Sequence, residues 1–275
     1  MKRILVALDG SAFSRAAQDY ACHLAKAEQA QLTGIAIIDL PGIERSIGPV
    51  PLGATAYAAH LKEHKVQEAK AEARKVLKTF GQICRQRRVR ARVLTKEGVP
   101  FSEIVEESKY NDLVIIGLKT FFRYGAMKEP GDTLRKLLRH GIRPVLAVPD
   151  RYRPVKEILV AYDGSTPAAK AAYELVQSGL WRSRNVTVLT VSEDRHKGNE
   201  LLGKLSGYFQ GYGVKVKRVL RRGDPAEIIL SYAVRSKADL LVIGTHGREN
   251  IRSFLFGSVT KKIVEEAHLP LFIYH

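Results

Sequence analysis

Within the stretch GTHGRENIRSFLFGS, residues 244–258, Gly244, Gly247, Gly257 and Ser258 follow the spacing G-x2-G-x9-G-S. Small residues so placed suit a turn that wraps phosphate oxygens, because glycine lets a ligand approach the backbone closely. The preceding run ADLLVIG, residues 238–244, is apolar and of strand length, which predicts a buried parallel strand. The following run VTKKIVEEA has helical spacing, with Val259, Ile263 and Val264 on one side. Ser258 therefore sits at a helix start. First-turn N–H groups lack partners inside the helix and the dipole favours an anion there, so Gly257 and Ser258 are placed to hold phosphate. The alternative is that Gly244 and Gly247 make only a loop and Ser258 is an ordinary N-cap. His246 lies inside the turn within reach of phosphate, but no nearby nucleophile points to catalysis.

The elements that must position this turn occur twice. ILVALDGS at residues 4–11 recurs as ILVAYDGS at 158–165, NDLVIIG at 111–117 recurs as ADLLVIG, and RPVLAV at 143–148 parallels LPLFIY at 269–274. Two domains follow, 1–150 and 151–275, joined near residues 149–154, where two prolines and several charges suit a short stiff linker. The second copy reads as a strand at 157–162, a helix to about 178, the strand NVTVLTV and a helix at 200–210. A strand at 214–220, a helix at 225–235, the motif strand, the motif helix and a final strand complete it. Such alternation implies a parallel sheet covered on both faces. Ligands in these sheets lie beyond the carboxyl ends of the strands, where strand order reverses. Asp163 and Gly244 end their strands, and if those strands are neighbours both residues line one crevice.

Composition narrows the choice of partner. The chain of 275 residues carries a net charge of +17, shared almost equally between the halves at +9 and +8, with no basic tail. The densest clusters are Arg85, Arg87, Arg88, Arg90 and Arg92, and Lys215, Lys217, Arg218, Arg221 and Arg222. VRARV and VKVKRV alternate apolar with basic residues, as edge strands do to discourage aggregation, and neither cluster is interleaved with stacking aromatics. An anionic partner is the competing reading, and nucleic acid is disfavoured. Residues 4–8 are too short for a secretory core and no run approaches membrane-spanning length, so a soluble cytoplasmic protein is expected. Cys22 and Cys84 are far apart in helical patterns, which reads as two buried thiols in place of a metal or redox pair.

The VAYDGS start, the GDPAEII helix entry, the DLLVIGTHGR strand and turn, and the G-x2-G-x9-G-S spacing together resemble the universal stress protein family. The resemblance spans both halves, as in a tandem two-domain member. It implies two doubly wound α/β domains, each a five-stranded parallel sheet of order 3-2-1-4-5 with helices on both faces. It also implies an adenine-nucleotide site for ATP, with or without Mg²⁺, pairing of domains through their last strands, and a homodimer as a further option. Carried over by motif, Gly244, Gly247, Gly257 and Ser258 would hold ribose and phosphates. Asp163 and the backbone of Val191 would meet the adenosine end, with Ile243 and Val259 packing close by. Arg248 would reach phosphate or else remain an exposed loop arginine.

The first copy departs from this pattern. GLKT at residues 117–120 replaces GTHG, the distance to the next helix grows by one residue, and Gly131-Asp132 replaces the Gly-Ser pair. A carboxylate there would cap the helix and repel phosphate. Copy one is thus expected to be degenerate, structural or selective for another anion through Lys119, Arg123 and Lys128. It is also 27 residues longer between its first and motif strands, with the excess near residues 39–66 in a Pro- and Gly-rich run before a long helix. Such an insertion would cover the first crevice, reach another subunit, or lie loose on the surface.

Two decoys fall away. GNELLGKL at 198–205 nearly spells a P-loop but has Leu205 where Mg²⁺ ligation needs Ser or Thr. His60 and His64 share metal spacing but lack a completing ligand. Three functions remain: a stress-response regulator that binds ATP without turning it over, a slow ATPase or self-phosphorylating protein, and a basic scaffold for nucleic acid or an acidic partner. The first is preferred, since no catalytic residue and no metal ligand is assigned, and Asp163 is the only evident acid at the site.

Overall fold

The computed structural model describes residues 1–51, 53–120, 122, 132–245 and 257–274. In the first repeat the elements are β1 (Arg3–Ala7), α1 (Ala12–Glu28), β2 (Gln31–Ile38), α2 (Leu40–Ile47), α3 (Thr55–Gln86), β3 (Ala91–Glu97), α4 (Pro100–Ser108), β4 (Leu113–Gly117), α5 (Asp132–His140) and β5 (Val145–Val148). In the second they are β6 (Glu157–Ala161), α6 (Thr166–Ser178), β7 (Asn185–Val191), α7 (Arg195–Gly211), β8 (Val216–Arg221), α8 (Pro225–Arg235), β9 (Leu240–Gly244), α9 (Ser258–Glu266) and β10 (Leu271–Tyr274). Strand order is β3-β2-β1-β4-β5 in one repeat and β8-β7-β6-β9-β10 in the other, so both have the expected 3-2-1-4-5 order. By contacts the chain forms two compact units, residues 2–143 with 148–152, and residues 1, 144–147 and 153–275. In the latter, β5 runs antiparallel to β10, with Leu146 opposite Phe272.

The central strands are apolar throughout because helices cover both faces; Ile4, Leu5 and Val6 of β1 and Leu240, Leu241 and Val242 of β9 are all buried. The basic strands β3 and β8 lie outermost in their repeats, and β3 alternates exposed with half-buried residues, as its sequence pattern predicts. Local chemistry sets the helix starts. Ser11 and Ser165 cap α1 and α6, and Asp224 caps α8. Helix α7 begins earlier than its periodicity suggests, since the Asp194 carboxylate accepts the N–H groups of His196 and Lys197 at 2.9 and 3.0 Å. The Pro- and Gly-rich insertion is also more regular than its composition implies. Asp39 caps α2 within it, and α3 then runs for 32 residues.

Two equivalent contacts tie the first helix of each repeat to its fourth strand. A Cβ built on Gly117 would lie 2.4 Å from Phe13 Cβ on α1, and one on Gly244 would lie 2.3 Å from the Ala168 nitrogen on α6. A second pair registers strand four against strand one: Asp112 accepts the N–H groups of Lys2 and Arg3, and Asp239 those of Lys156 and Glu157. The likeness of the two motif strands therefore has a folding cause at both ends. Gly117→Ala should destabilise the protein by about 1–3 kcal/mol through overpacking, read from urea unfolding. Unchanged stability would show that α1 can retreat from the strand.

Candidate functional site

Strand order in the second repeat reverses between β6 and β9. Register brings the expected residues to the carboxyl end of that junction. Ala161 pairs with Leu189, so Asp163 and Val191 lie level, two residues further along. Val160 pairs with Val242, which carries Ile243 and Gly244 to the same end. The first turn of α9 joins them, since Thr260 Oγ1 donates to the Gly244 carbonyl at 3.4 Å. Seven of the nine expected residues thus lie at or next to the carboxyl end of this strand junction. Gly247 and Arg248, with His246, lie outside the described residues.

The DGS turn supplies one wall. Gly164 has φ +82°, the left-handed region, and Asp163 Oδ1 accepts the Ser165 N–H at 3.0 Å, which closes the turn. The Asp163 side chain is exposed there. Tyr162, which sequence reading passed over because it lies one residue inside the motif, is half-buried beside it. Burial, and then the charge of Asp163, pushes its phenol above the ordinary tyrosine range. Val191, the last residue of β7, is half-buried. Ile243 is 4 % exposed, so its side chain belongs to the core.

Helix α9 supplies the opposite wall. Gly257, not Ser258, is its N-cap, and the cap has no side-chain hydrogen bond. Ser258 is the exposed first helical residue, so the reading of Ser258 as an ordinary N-cap does not hold. The first-turn N–H groups of α9 therefore have no side-chain acceptor at the cap. The face that α9 buries is Thr260, Ile263 and Ala267, whereas Val259 and Val264 are half-buried. The expected apolar side was displaced by one residue because Thr260 turns inward to bond the strand end.

In the first repeat the described residues that follow the fourth strand are buried. After Gly117, Leu118, Thr120 and Phe122 are 6 %, 1 % and 2 % exposed. The Thr120 N–H bonds back to the Gly117 carbonyl at 3.0 Å. Asp9, counterpart of Asp163, is 5 % exposed and accepts from the Ser11 N–H and hydroxyl at 2.9 and 2.6 Å. Helix α5 begins at Asp132, so that residue is its first helical position and not its cap. Gly131, Arg123 and Lys128 lie outside the described residues. Asp39, at the end of β2, is 1 % exposed; its Oδ1 accepts the Gly42 N–H at 2.9 Å, and its Oδ2 has no hydrogen-bond partner among the described residues. Burial raises the Asp39 carboxyl above the usual carboxylate range, opposed by the Gly42 hydrogen bond and the charges of Arg45 and Lys136.

This strand order, with helices between the parallel strands, defines a class of protein, the doubly wound α/β proteins. The model of the universal stress protein family matches residues 1–149 and again residues 154–275. The chain belongs to the universal stress protein family, as two copies in tandem, and by that membership is a stress-response protein. It is 25 % identical over 285 residues to a universal stress protein of Synechocystis, covering 98 % of this chain and 99 % of that protein. It is 26 % identical over 295 residues to one from Mycolicibacterium smegmatis, covering 98 % and 96 %. The crystal structure of a universal stress protein from Archaeoglobus fulgidus shares the fold, with a TM-score of 0.71 at 19 % identity, covering 99 % of this chain and 97 % of that one.

The buried Asp39 carries a testable consequence. A carboxyl whose folded pKa is raised supports the fold below its unfolded pKa, and that support is lost as pH rises through the folded value. Asp39→Asn keeps a capping oxygen and removes the charge. Urea midpoints measured across roughly pH 4 to 8 should therefore fall less with rising pH in the variant. Parallel curves would show that Asp39 is not desolvated.

Proposed function

We propose that the second repeat binds one adenine nucleotide, ATP in the first instance, between the Asp163 turn and the start of α9. The observation that carries this reading is the N-terminus of α9, which has no side-chain cap and is tethered to the end of β9 across from an exposed Asp163. Phosphate oxygens complete the first-turn donors of α9, from Gly257 onward, with Ser258 beside them and the dipole favouring their charge. Gly244 and Gly247 shape the turn, and Arg248 adds a cation to it. Asp163 and the Val191 backbone receive the adenosine end, Val259 packs beside it, and Ile243 supports the floor from within the core. Mg²⁺, where it accompanies ATP, neutralises phosphate charge. Nucleotide occupancy, and not turnover, then governs assembly or partner choice in the cytoplasm.

On this reading the first repeat takes no ATP, because Leu118, Thr120 and Phe122 are buried after its fourth strand and the sequence has Gly131-Asp132 in place of the Gly-Ser pair. It acts as a structural partner or serves another ligand, and the insertion near residues 39–66 belongs to that role. Pairing of repeats through their last strands is part of the same proposal, supported by the β5–β10 ladder, as is a homodimer. The basic faces are a weaker basis for a nucleic-acid role. Asp19 pairs with Arg87, and Glu107 with both Lys96 and Arg92, which offsets part of the first cluster.

Gly257→Asp separates binding from folding. The position has φ −54°, so an aspartate there caps α9 without strain while placing a carboxylate where phosphate would lie. Isothermal titration should give one ATP per chain for the parent and a loss of at least about a hundredfold in affinity for the variant, near 3 kcal/mol, with stability kept. Residual one-to-one binding in the variant would refute the assignment and point to the first repeat. Mass spectrometry of ligand released from the purified protein should show an adenine nucleotide. The exposed Asp163 also keeps slow hydrolysis open as a second reading. Phosphate release that disappears in Asp163→Ala while ATP binding survives would establish it.

A further inference from the structure

The chain has two cysteines, Cys22 and Cys84, 62 residues apart in sequence. Folding brings them together: Cys22 on α1 and Cys84 in the last turns of α3 are 2 % and 1 % exposed, with Sγ atoms 3.9 Å apart. They form the inner of two rungs between these helices. The outer rung is an ion pair in which Arg87 Nη2 donates to Asp19 Oδ1 at 2.5 Å. Asp19 precedes Cys22 by three residues and Arg87 follows Cys84 by three, so each helix presents both of its members on one face. The ion pair is about one-third exposed at each side chain, and the thiols lie beneath it.

Arg87 has a further part to play here. Its Nη1 is buried with no hydrogen-bond partner among the described residues. A buried guanidinium donor is costly to leave unsatisfied, and a thiolate is the acceptor that the neighbouring Cys22 can supply. The hydrogen bond from Cys84, followed by the charge of Arg87, holds the Cys22 thiol below the ordinary range, against burial and the charge of Asp19. The hydrogen bond to Cys22, then burial, pushes the Cys84 thiol up. What distinguishes the two sulfurs is Arg87, whose guanidinium lies beside Cys22 and favours the thiolate there.

We propose that Cys22 and Cys84 are a redox-active pair that a hydroperoxide converts to an intrachain disulfide joining α1 to α3, with Cys22 as the attacking sulfur and Cys84 as the resolving one. The Cys22 thiolate attacks one peroxide oxygen and the O–O bond breaks. The sulfur becomes a sulfenic acid, and the other oxygen leaves as hydroxide or alkoxide and takes up a proton. Cys84 sulfur then attacks the sulfenic sulfur, the S–S bond forms, and the hydroxyl departs with the Cys84 proton as water. Two thiols lose two electrons and two protons, and the hydroperoxide is reduced to water and an alcohol, or to two waters from hydrogen peroxide. The sulfurs must close from 3.9 Å to about 2.05 Å, a movement shared by two side chains.

The consequence falls on the insertion. Helices α1 and α3 form facing walls of a groove of about 1120 Å³, lined by Ser14, Arg15 and Gln18 on one side and Lys65, Glu72 and Thr79 on the other. Both thiols lie further along the same helices, so the disulfide would fix the spacing of the walls at one end. The first repeat would then report oxidant, independently of nucleotide held by the second.

The full-length reduced protein is exposed to hydrogen peroxide alongside free glutathione as a reactivity control. Thiols titrated after denaturation should fall from two to none, the intact mass should drop by two hydrogens, and the chain should remain a monomer on non-reducing gels. Peptide mapping should recover the segments containing Cys22 and Cys84 joined. Hydrogen exchange in the carboxyl-terminal half of α3 should slow on oxidation and recover with dithiothreitol. Cys84→Ser should trap a sulfenic acid at Cys22, and Cys22→Ser and Arg87→Met should each react about tenfold more slowly than the parent. Two titratable thiols persisting after the glutathione control is consumed, or disulfides only between chains, would overturn the proposal. Equal rates for the two serine variants would overturn the assigned roles. Peptide mapping of the parent chain decides the disulfide even where a serine variant fails to fold.

Discussion

The crevice depends on how closely the first helix of each repeat lies against the end of the fourth strand. At Gly117 and Gly244 a Cβ would sit 2.3–2.4 Å from atoms of Phe13 or Ala168, closer than any side chain tolerates. The contact draws the N-terminus of α1 or α6 onto the strand end. It brings the DGS turn of the first strand to the carboxyl end of the fourth. Aspartate carboxylates at the other end of the same strand pair, Asp112 and Asp239, fix the register. A glycine that looks reserved for a ligand is thus required by packing whether or not a ligand is present.

On this common frame the two repeats diverge in what occupies the space behind the fourth strand. The first buries Leu118, Thr120 and Phe122 and draws Asp9 inward, while the second leaves Asp163 exposed and starts α9 without a side-chain cap. Apolar burial is self-sufficient, whereas uncapped helix donors need an acceptor. The first repeat buries these residues within itself, whereas the uncapped start of α9 is the feature on which the proposed anion site of the second repeat rests. Strand order is the same in both repeats.

Charge and sulfur show how little residue counts say about sites. Two of the five arginines in the cluster around β3, Arg87 and Arg92, are engaged by Asp19 and Glu107, so part of the excess charge there is offset. The two cysteines look unrelated along the chain, yet α1 and α3 place them in contact beneath one of those ion pairs. The long α3 serves both findings, with Cys84 in its last turn and Arg87 as its C-cap.

The sequence by itself determined the repeat, the alternation of strands and helices, the strand order through its resemblance, and which residues end the central strands of the second repeat. These features rest on local periodicity, on turn chemistry such as the DGS caps, and on motif spacing, all of which are written within a few residues of chain. Only the tertiary structure decided that Gly257 and not Ser258 caps α9, that Thr260 faces inward where Val259 was expected, and that the insertion folds around Asp39 as a helix. It alone showed Leu118 and Phe122 buried after the fourth strand and Cys22 meeting Cys84. Each of these depends on which side chain from a distant segment arrives at a given place. Burial and close contact are properties of the assembled packing, and neither composition nor spacing along the chain contains them.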